Sequence, residues 1–485
     1  MIALASPKLE FAPVMPEFLL FGVAIVGLLY EALAPKSERG WHLALAMAGL
    51  VAAALATFPL WHWAGDSSVM AGMVSVDRFS VVSRLLLIAI SAMTLWFGTY
   101  YLGRSGDEFR GEFYPLILFA TAGMTLITAA ADLIVVFLAL EILSLSLYVL
   151  TGITGRPASS EAAMKYFLLG AFSSAFFLFG VAWSYGATGT THIVSIALAL
   201  SGQSGSQALA LLAFAFLTIG FGFKVAAVPF HQWTPDVYQG APTPVTAFMS
   251  AATKVAAFMA LIRVLDVAFQ PLTWDWTPVI WVLAAISVVV GSVLAIAQSD
   301  IKRMLAYSSI AHAGFILTGL TSANQVGIRS VLFYLVAYSL MTLGAFGVVM
   351  LVSGRGEART SLTSYAGLAK RSPVLAGLMT LFLLSLAGIP PTVGFVAKVG
   401  VFGAAILAGH WSLAVIGVLS SVAAAFFYLR VIVLMYMQEP QGIQDEDRSI
   451  LPRVALAIPA ILTLALGVFP GLIVGILERA SILRW

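Results

Sequence analysis

Segments of about twenty residues with almost no charge recur along this 485-residue chain, and they decide its solvent. A helix needs about 20 apolar residues to cross a bilayer. Only 10% of the residues are charged, against about 25% in soluble domains, so an ordinary globular fold is excluded. The alternating pattern of a membrane β-barrel is absent. The sequence therefore predicts an all-α polytopic membrane protein, one membrane domain over 1–485. It should have about fourteen spans, centred near residues 25, 51, 88, 121, 142, 174, 218, 256, 287, 311, 340, 391, 424 and 465. The longest polar interruptions, Ser353–Ser372 and Gln438–Arg453, are too short to fold alone. The chain has no cysteine, which excludes disulfides and thiolate-held metals or clusters. A net charge of +3 says little about partners in such a chain, because the placement of the charges matters more than their sum.

That placement is uneven. Connections after odd-numbered spans hold Lys36, Arg39, Arg104, Arg110, Arg156, Lys302, Arg303, Arg355, Arg359, Lys370, Arg371, Arg448 and Arg453. Connections after even-numbered spans are expected to hold only Arg329. Lys and Arg gather on the cytoplasmic side, so the odd connections face the cytoplasm and both termini face out. Reading the first span as a signal peptide cleaved near Ala32–Ala34 would shift this parity, and the residues before it are poorly basic.

The chain resembles itself at an offset of 167 positions. "LTGI" at Leu150 meets "LTGL" at Leu317, "FGV" at Phe179 meets "FGV" at Phe346, and "VAAFMALIRV" at Val255 meets "VAAAFFYLRV" at Val422. The matched spans are five and ten, six and eleven, eight and thirteen. The unit is five helices, and an odd number inverts the second copy, as in many transporters. This divides the chain into 1–112, a first repeat over 113–270 (spans four to eight), a second over 271–437 (spans nine to thirteen), and 438–485.

Spans seven and twelve look broken. Pro229 follows Lys224, and Gly388, Pro390, Pro391 and Gly394 precede Lys398. Proline removes a backbone donor, and such breaks survive at depth only where protein or water satisfies the freed groups. Spans seven and twelve are counterparts, so each copy carries a break and a lysine. Pairing Lys224 with Lys398 requires a shift of about two helical turns from unequal loops.

Lys165, Lys224, Lys254 and Lys398 lie in apolar segments, as do Glu141 and His312. An ionised lysine at mid-bilayer costs at least about 2.5–3.5 kcal/mol. The plainer readings are that Lys165 snorkels to the interface, His312 is a satisfied core histidine, and Glu141 is a structural partner of Lys165. Arg263 and Arg430 read as fixtures near helix ends, Arg263 on the outer face and Arg430 on the inner. Lysine, unlike arginine, can lose its proton when buried and regain it beside a carboxylate, and histidine titrates near neutrality unaided. The set therefore suits a proton relay, and a single buried acid makes a dedicated sodium site less attractive. No P-loop, dinucleotide fingerprint or zinc-spaced histidine set is present.

The stretch "KVAAVPFHQWTPDVYQGAPTPVTAFMSAATKVAAF" strongly resembles the span seven–eight signature of the antiporter-like proton-pumping subunits of bacterial NADH:quinone oxidoreductase, respiratory complex I. The resemblance extends to "DLIVVFLALEILSLSLYVL", "AYSSIAHAGF" and "GIPPTVGFVAKVGVF". Within the family the chain is most similar to subunit N, whose span twelve carries lysine where subunit M has glutamate. Subunit L has a long lateral helix, which a chain stopping at Trp485 lacks. The resemblance implies that Glu141 modulates and couples, that Lys165 is its partner and that Lys224 is the central proton site. His231 and Lys254 would bridge toward Lys398, the terminal lysine, with His312 among the proton-transfer groups. It implies no cofactor or metal in this chain, with NADH, FMN, iron–sulfur clusters and quinone handled by partner subunits. Partners would include neighbouring subunit M, small subunits such as K and J, and the lipid of the bacterial inner membrane, but no nucleic acid. The corresponding member of a multisubunit sodium/proton antiporter (Na+/H+) shares the fold and is the alternative.

The topology is testable. A periplasm-active reporter is expected to work at Trp485 and to be silent at Gly356; the reverse pattern contradicts the fourteen-span reading.

Overall fold

The computed structural model describes residues 9–33, 41–65, 67–104, 111–202, 205–354, 357, 359–440 and 450–483. Lys36, Arg39, Arg110, Arg355, Gly356, Arg448 and Trp485, and the side chain of Arg104, lie outside the described residues, as does Ala34. The helices are α1 (Met15–Leu33), α2 (His42–Thr57), α3 (Arg78–Arg104), α4 (Phe113–Ala129), α5 (Leu133–Gly152), α6 (Pro157–Thr188), α7 (Ile193–Ser201) and α8 (Gln207–Val225). Next come α9 (Trp233–Gly240), α10 (Thr243–Phe248), α11 (Lys254–Arg263), α12 (Thr273–Ile296), α13 (Ile301–Leu320) and α14 (Gln325–Ser353). The last are α15 (Leu368–Arg371), α16 (Pro373–Ala387), α17 (Val393–Leu407), α18 (Trp411–Met437), α19 (Ile450–Val468) and α20 (Gly471–Ala480). A two-stranded hairpin, Ser68–Val69 against Val74–Ser75, interrupts the all-helical pattern between α2 and α3.

Local chemistry sets many of the boundaries. Asp132, Ser206, Asp300 and Asn324 each accept a backbone N–H in the first turn that follows them, opening α5, α8, α13 and α14. Gly189, at φ +74°, ends α6 in the left-handed conformation that glycine adopts without penalty.

Among the described residues, ten helical segments are long and apolar enough to cross a membrane, and eleven if α19 and α20, bent by 86°, form one span. That bend follows Pro470 and was not visible in the hydropathy. The shortfall from fourteen has a physical cause. α4, α16 and α17 are apolar but only 17, 15 and 15 residues long, and α13 begins with Lys302 and Arg303. Arg78, which opens α3 beside Trp61, adds a cation that the loop-charge reading omitted.

The segment Thr243–Ala268 is wholly buried and Gln325–Ser353 nearly so, so α10, α11 and α14 form the axis of the bundle. Other helices present apolar side chains outward: Phe172 is 70% and Trp274 90% exposed. A lipid-facing surface has that composition.

Two breaks interrupt the bundle. α8 stops at Ala226 (φ +60°) and the chain resumes at α9, while α16 stops at Gly388 (φ +86°) and resumes at α17. Each break holds a cis X–Pro bond, Val228–Pro229 and Pro390–Pro391. The two left-handed residues are 162 positions apart, as are Pro229 and Pro391. The lysines therefore do not correspond. Lys224 precedes its break and Lys398 follows its own, and 162 positions before Lys398 stands Asp236. Unequal connections on both sides of the breaks cause the difference from 167; α7 lengthens the first one.

Other contacts recur along the chain. Asp132 bridges His192, with Leu133 N–H to Thr191 O at 3.0 Å and Ile193 N–H to Ala131 O at 2.9 Å. Asp300 bridges Ser361 in the same manner, with Ile301 N–H to Thr360 O and Leu362 N–H to Ser299 O, both 2.8 Å. Arg263 donates to Thr128 O at 3.1 Å, in the last turn of α4, and pairs with buried Asp77 at 3.0 Å. Arg430, 167 positions later, donates to Ile296 O at 2.9 Å, at the end of α12.

Removing one partner of a buried ion pair leaves the other charge uncompensated, at about 3–5 kcal/mol. D77A is therefore expected to lower the thermal midpoint of the detergent-solubilised protein sharply, and D77L/R263M to recover much of the loss. An unchanged midpoint for D77A would contradict the pairing.

Candidate proton-transfer site

Four lysines were singled out by sequence, and three are deeply buried. Lys224, Lys254 and Lys398 are 3%, 1% and 5% exposed. Lys165 differs, with a side chain 43% exposed at the end of α6 that carries charged neighbours.

Lys224 sits in the last turn of α8. Its ammonium donates to Ser144 Oγ on α5 at 2.7 Å and lies 5.5 Å from the Tyr166 ring and 5.7 Å from the Tyr148 ring. Facing aromatic rings attract a cation that has lost its water. Ser144 lies one turn along α5 from Glu141 and turns its own proton to Leu140 O.

Glu141 is half-buried and accepts a hydrogen bond from Ser174 on α6. Here the expected pairing fails: Glu141 and Lys165 are not in contact. Lys165 instead pairs at 2.9 Å with Glu161 one turn back and at 2.9 Å with Asp236 on α9. Asp236 also holds Arg303 at 2.6 Å.

The break that follows Lys224 leaves the final carbonyls of α8 without helical partners. Lys254, at the start of α11, fills that place. Its ammonium donates to Val225 O at 3.1 Å and to Ser309 O on α13. A one-turn π segment, Met249–Thr253, directly precedes it.

The second break is capped in a related way from another direction. Lys398 reaches back across the break from α17 and donates to Ala387 O at 2.8 Å and to Ser421 Oγ. Ser421 also donates to Ala387 O, at 3.3 Å, and stands 167 positions after Lys254. Val225 and Ala387, the two capped residues, are each the last of their half-helix.

His312 lies between these lysines. Its Nδ1 is 2.8 Å from Tyr334 Oη and its Nε2 is 3.4 Å from Tyr428 Oη, which in turn meets Ser308 Oγ. The Tyr338 ring is 5.1 Å from the imidazole and 5.8 Å from the Lys254 ammonium. On the other side, the Phe315 ring is 5.7 Å from the imidazole and 4.8 Å from the Lys398 ammonium. A polar chain thus surrounds His312, and an apolar ring separates it from Lys398.

His231 stands apart. It sits half-buried in the first break, and among the described residues it makes no hydrogen bond or ion pair with the lysines. Asp236, Tyr334, Tyr338, Tyr428 and Ser421 were not found by sequence. The tyrosines and serine are ordinary residues of apolar helices. Asp236 carried a usable signal, as an acid twelve positions after Lys224 in an otherwise apolar region. Among the described residues no cluster of three or more His, Asp or Glu has metal-binding geometry.

Residues 130–424 match the family described as NADH:quinone oxidoreductase/Mrp antiporter, TM. A NADH-quinone oxidoreductase subunit N of Rhodococcus opacus is 46% identical, covering 98% of this chain and 97% of its own. That of Mycobacterium tuberculosis is 41% identical with 99% of each chain covered. A chain of respiratory complex I from Thermus thermophilus is 36% identical with a TM-score of 0.81, covering 95% of this chain and 99% of its own. A chain of the Mrp complex from Dietzia sp. superposes with a TM-score of 0.84 at 22% identity, with 97% of both chains covered, a likeness of fold alone.

Gly388 tests the second cap. A Cβ there would lie 2.8 Å from Lys398 Cδ on a left-handed residue, a conformation that costs other residues about 1–2 kcal/mol. G388A is expected to leave the membrane complex assembled while lowering its proton transport. Full transport in assembled G388A would show that the Lys398 position is not critical.

Proposed function

Because the chain belongs to the subunit N family of NADH:quinone oxidoreductase, we propose that it is the non-redox, proton-translocating member of such a complex. Its membrane proton sites are Lys224, Lys254, His312 and Lys398, with Glu141 and Lys165 as the modulating pair and His231 in the break between them. One observation carries this reading. At each break in the bundle a lysine ammonium holds the last carbonyl of the severed half-helix, Lys254 on Val225 and Lys398 on Ala387. A structural cap alone would be served equally by arginine, which holds its charge permanently. Lysine at these places can release a proton when its surroundings change. The free energy comes from quinone reduction elsewhere in the complex, so NADH, FMN, iron–sulfur clusters and quinone belong to partner subunits.

The architecture proposed with it has fourteen spans. Three are added to the eleven: α4, α13, and α16 with α17 as one broken span. Spans four to eight and nine to thirteen form two inverted repeats over 113–270 and 271–437. In support, α4 begins at Phe113 and α18 ends at Met437, and the Asp132 and Asp300 bridges recur 168 positions apart. The chain would lie in a bacterial inner membrane with both termini periplasmic, beside subunit M and small subunits such as K and J. The antiporter reading rests on fold alone, whereas relatives at 36–46% identity belong to complex I.

Each proton moved through 100 mV stores about 2.3 kcal/mol, so the relay needs gated stops. K224A and K224R are both expected to assemble, and both to lose redox-driven proton uptake in reconstituted complex. If K224R pumps at the wild-type rate, Lys224 is an electrostatic fixture.

A further inference from the structure

The eight residues of α9 touch the surroundings of both Lys165 and Lys224. Lys165 and Tyr166 are neighbours on α6. The first pairs with Asp236 at 2.9 Å; the second stacks on Trp233 with ring centroids 4.6 Å apart and planes 10° from parallel. Trp233 and Asp236 are three positions apart and so share a face of α9. The Tyr166 ring also faces the Lys224 ammonium at 5.5 Å. The Trp233 indole N–H donates to Phe223 O, next to Lys224, at 2.9 Å.

The backbone ladder does not fix α9 to α8, because residues 226–232 break it. Its other anchor is Arg303 on α13, bound to Asp236 at 2.6 Å and to Gln239 at 3.1 Å. Glu141 is occupied elsewhere. Its serine partner, Ser174, lies nine residues beyond Lys165 on α6, about 13 Å along the axis at ~1.5 Å per residue. Lys165 and Glu141 meet only if the lysine leaves Asp236 and the glutamate leaves Ser174.

We infer that Asp236 is a second counter-ion of Lys165, which holds the ammonium on α9 and makes its pairing with Glu141 depend on the position of that half-helix. Lys165 then alternates between two carboxylates. A charged Lys224 draws the Tyr166 ring and keeps Trp233 and α9 in place. Loss of that charge removes the cation–π attraction, loosens α9 and frees Lys165 for Glu141. Asp236 is a positioning residue, acting through Lys165, and this role rests on the proton relay proposed above.

The test uses the intact complex reconstituted in vesicles, with D236N, K165M and the double variant compared for quinone reduction and proton uptake per NADH. Losing a hydrogen-bonded charge partner is expected to lower coupled turnover about ten-fold in D236N. The same substitution made in K165M should change nothing further, because contacting residues acting as one unit are not additive. D236E, which keeps the carboxylate, should restore turnover to near wild type. Equal losses from D236N with and without Lys165 would make Asp236 a structural residue and overturn the proposal, as would wild-type pumping by D236N. If D236N does not assemble, D236E decides: assembled D236E with a ten-fold loss overturns the proposal. Any of these failures leaves the relay standing if K224R still cannot pump, so the two readings are separable.

Discussion

A helix that stops inside a membrane leaves carbonyls that neither water nor lipid will satisfy. This chain stops two helices there, and each time a buried ammonium takes the last carbonyl. The match is physical. The C-terminal end of a helix carries partial negative charge, and an ammonium brings three donors to it. Each break therefore stabilises a lysine where a bare cation would be expelled, and each lysine stabilises a break that would otherwise be left unsatisfied. The two solutions differ in origin. At the first break the lysine comes from the wholly buried Thr243–Ala268 segment, and at the second from the far half of the same broken span, helped by Ser421.

The groups between the breaks do not form an open wire. Tyr338 lies between Lys254 and His312, and His312 is ringed by Tyr334, Tyr428 and Ser308. Phe315 then separates the imidazole from Lys398. An uninterrupted path would let the membrane potential drain back through the protein. An apolar ring beside a chargeable group is one way to make a proton wait until the surroundings rearrange.

Much of this was legible in the residues. The long apolar segments fixed the solvent, and Pro229 and Pro391 marked the two breaks. Lysines inside apolar runs marked the sites, because such a charge is costly unless it is used. Register was less legible. Three matches at an offset of 167 implied that Lys224 and Lys398 correspond after a loop shift, but the breaks align at 162 and place Asp236 opposite Lys398. Connection lengths carry no hydropathy signal, so the sequence could not place those few residues. Partners were the least legible part. Nothing local tells Lys165 to choose Asp236 over Glu141, since that choice depends on how α9 packs beyond the break. Short spans such as α4 and α17 escape a length criterion even though their neighbours bury them.

The claim underlying this picture is that the ammonium at each break is a proton site as well as a cap, and Lys398 separates the two roles most directly. Arginine at that position keeps a permanent cation near Ala387 O but cannot release its proton. The decisive measurement is the number of protons taken up per NADH oxidised by reconstituted K398R complex of normal assembly and thermal stability. A relay through Lys398 gives a clear drop in that ratio, or a halt in coupled turnover. A wild-type ratio at a wild-type rate would mean that the lysine is a cap and nothing more.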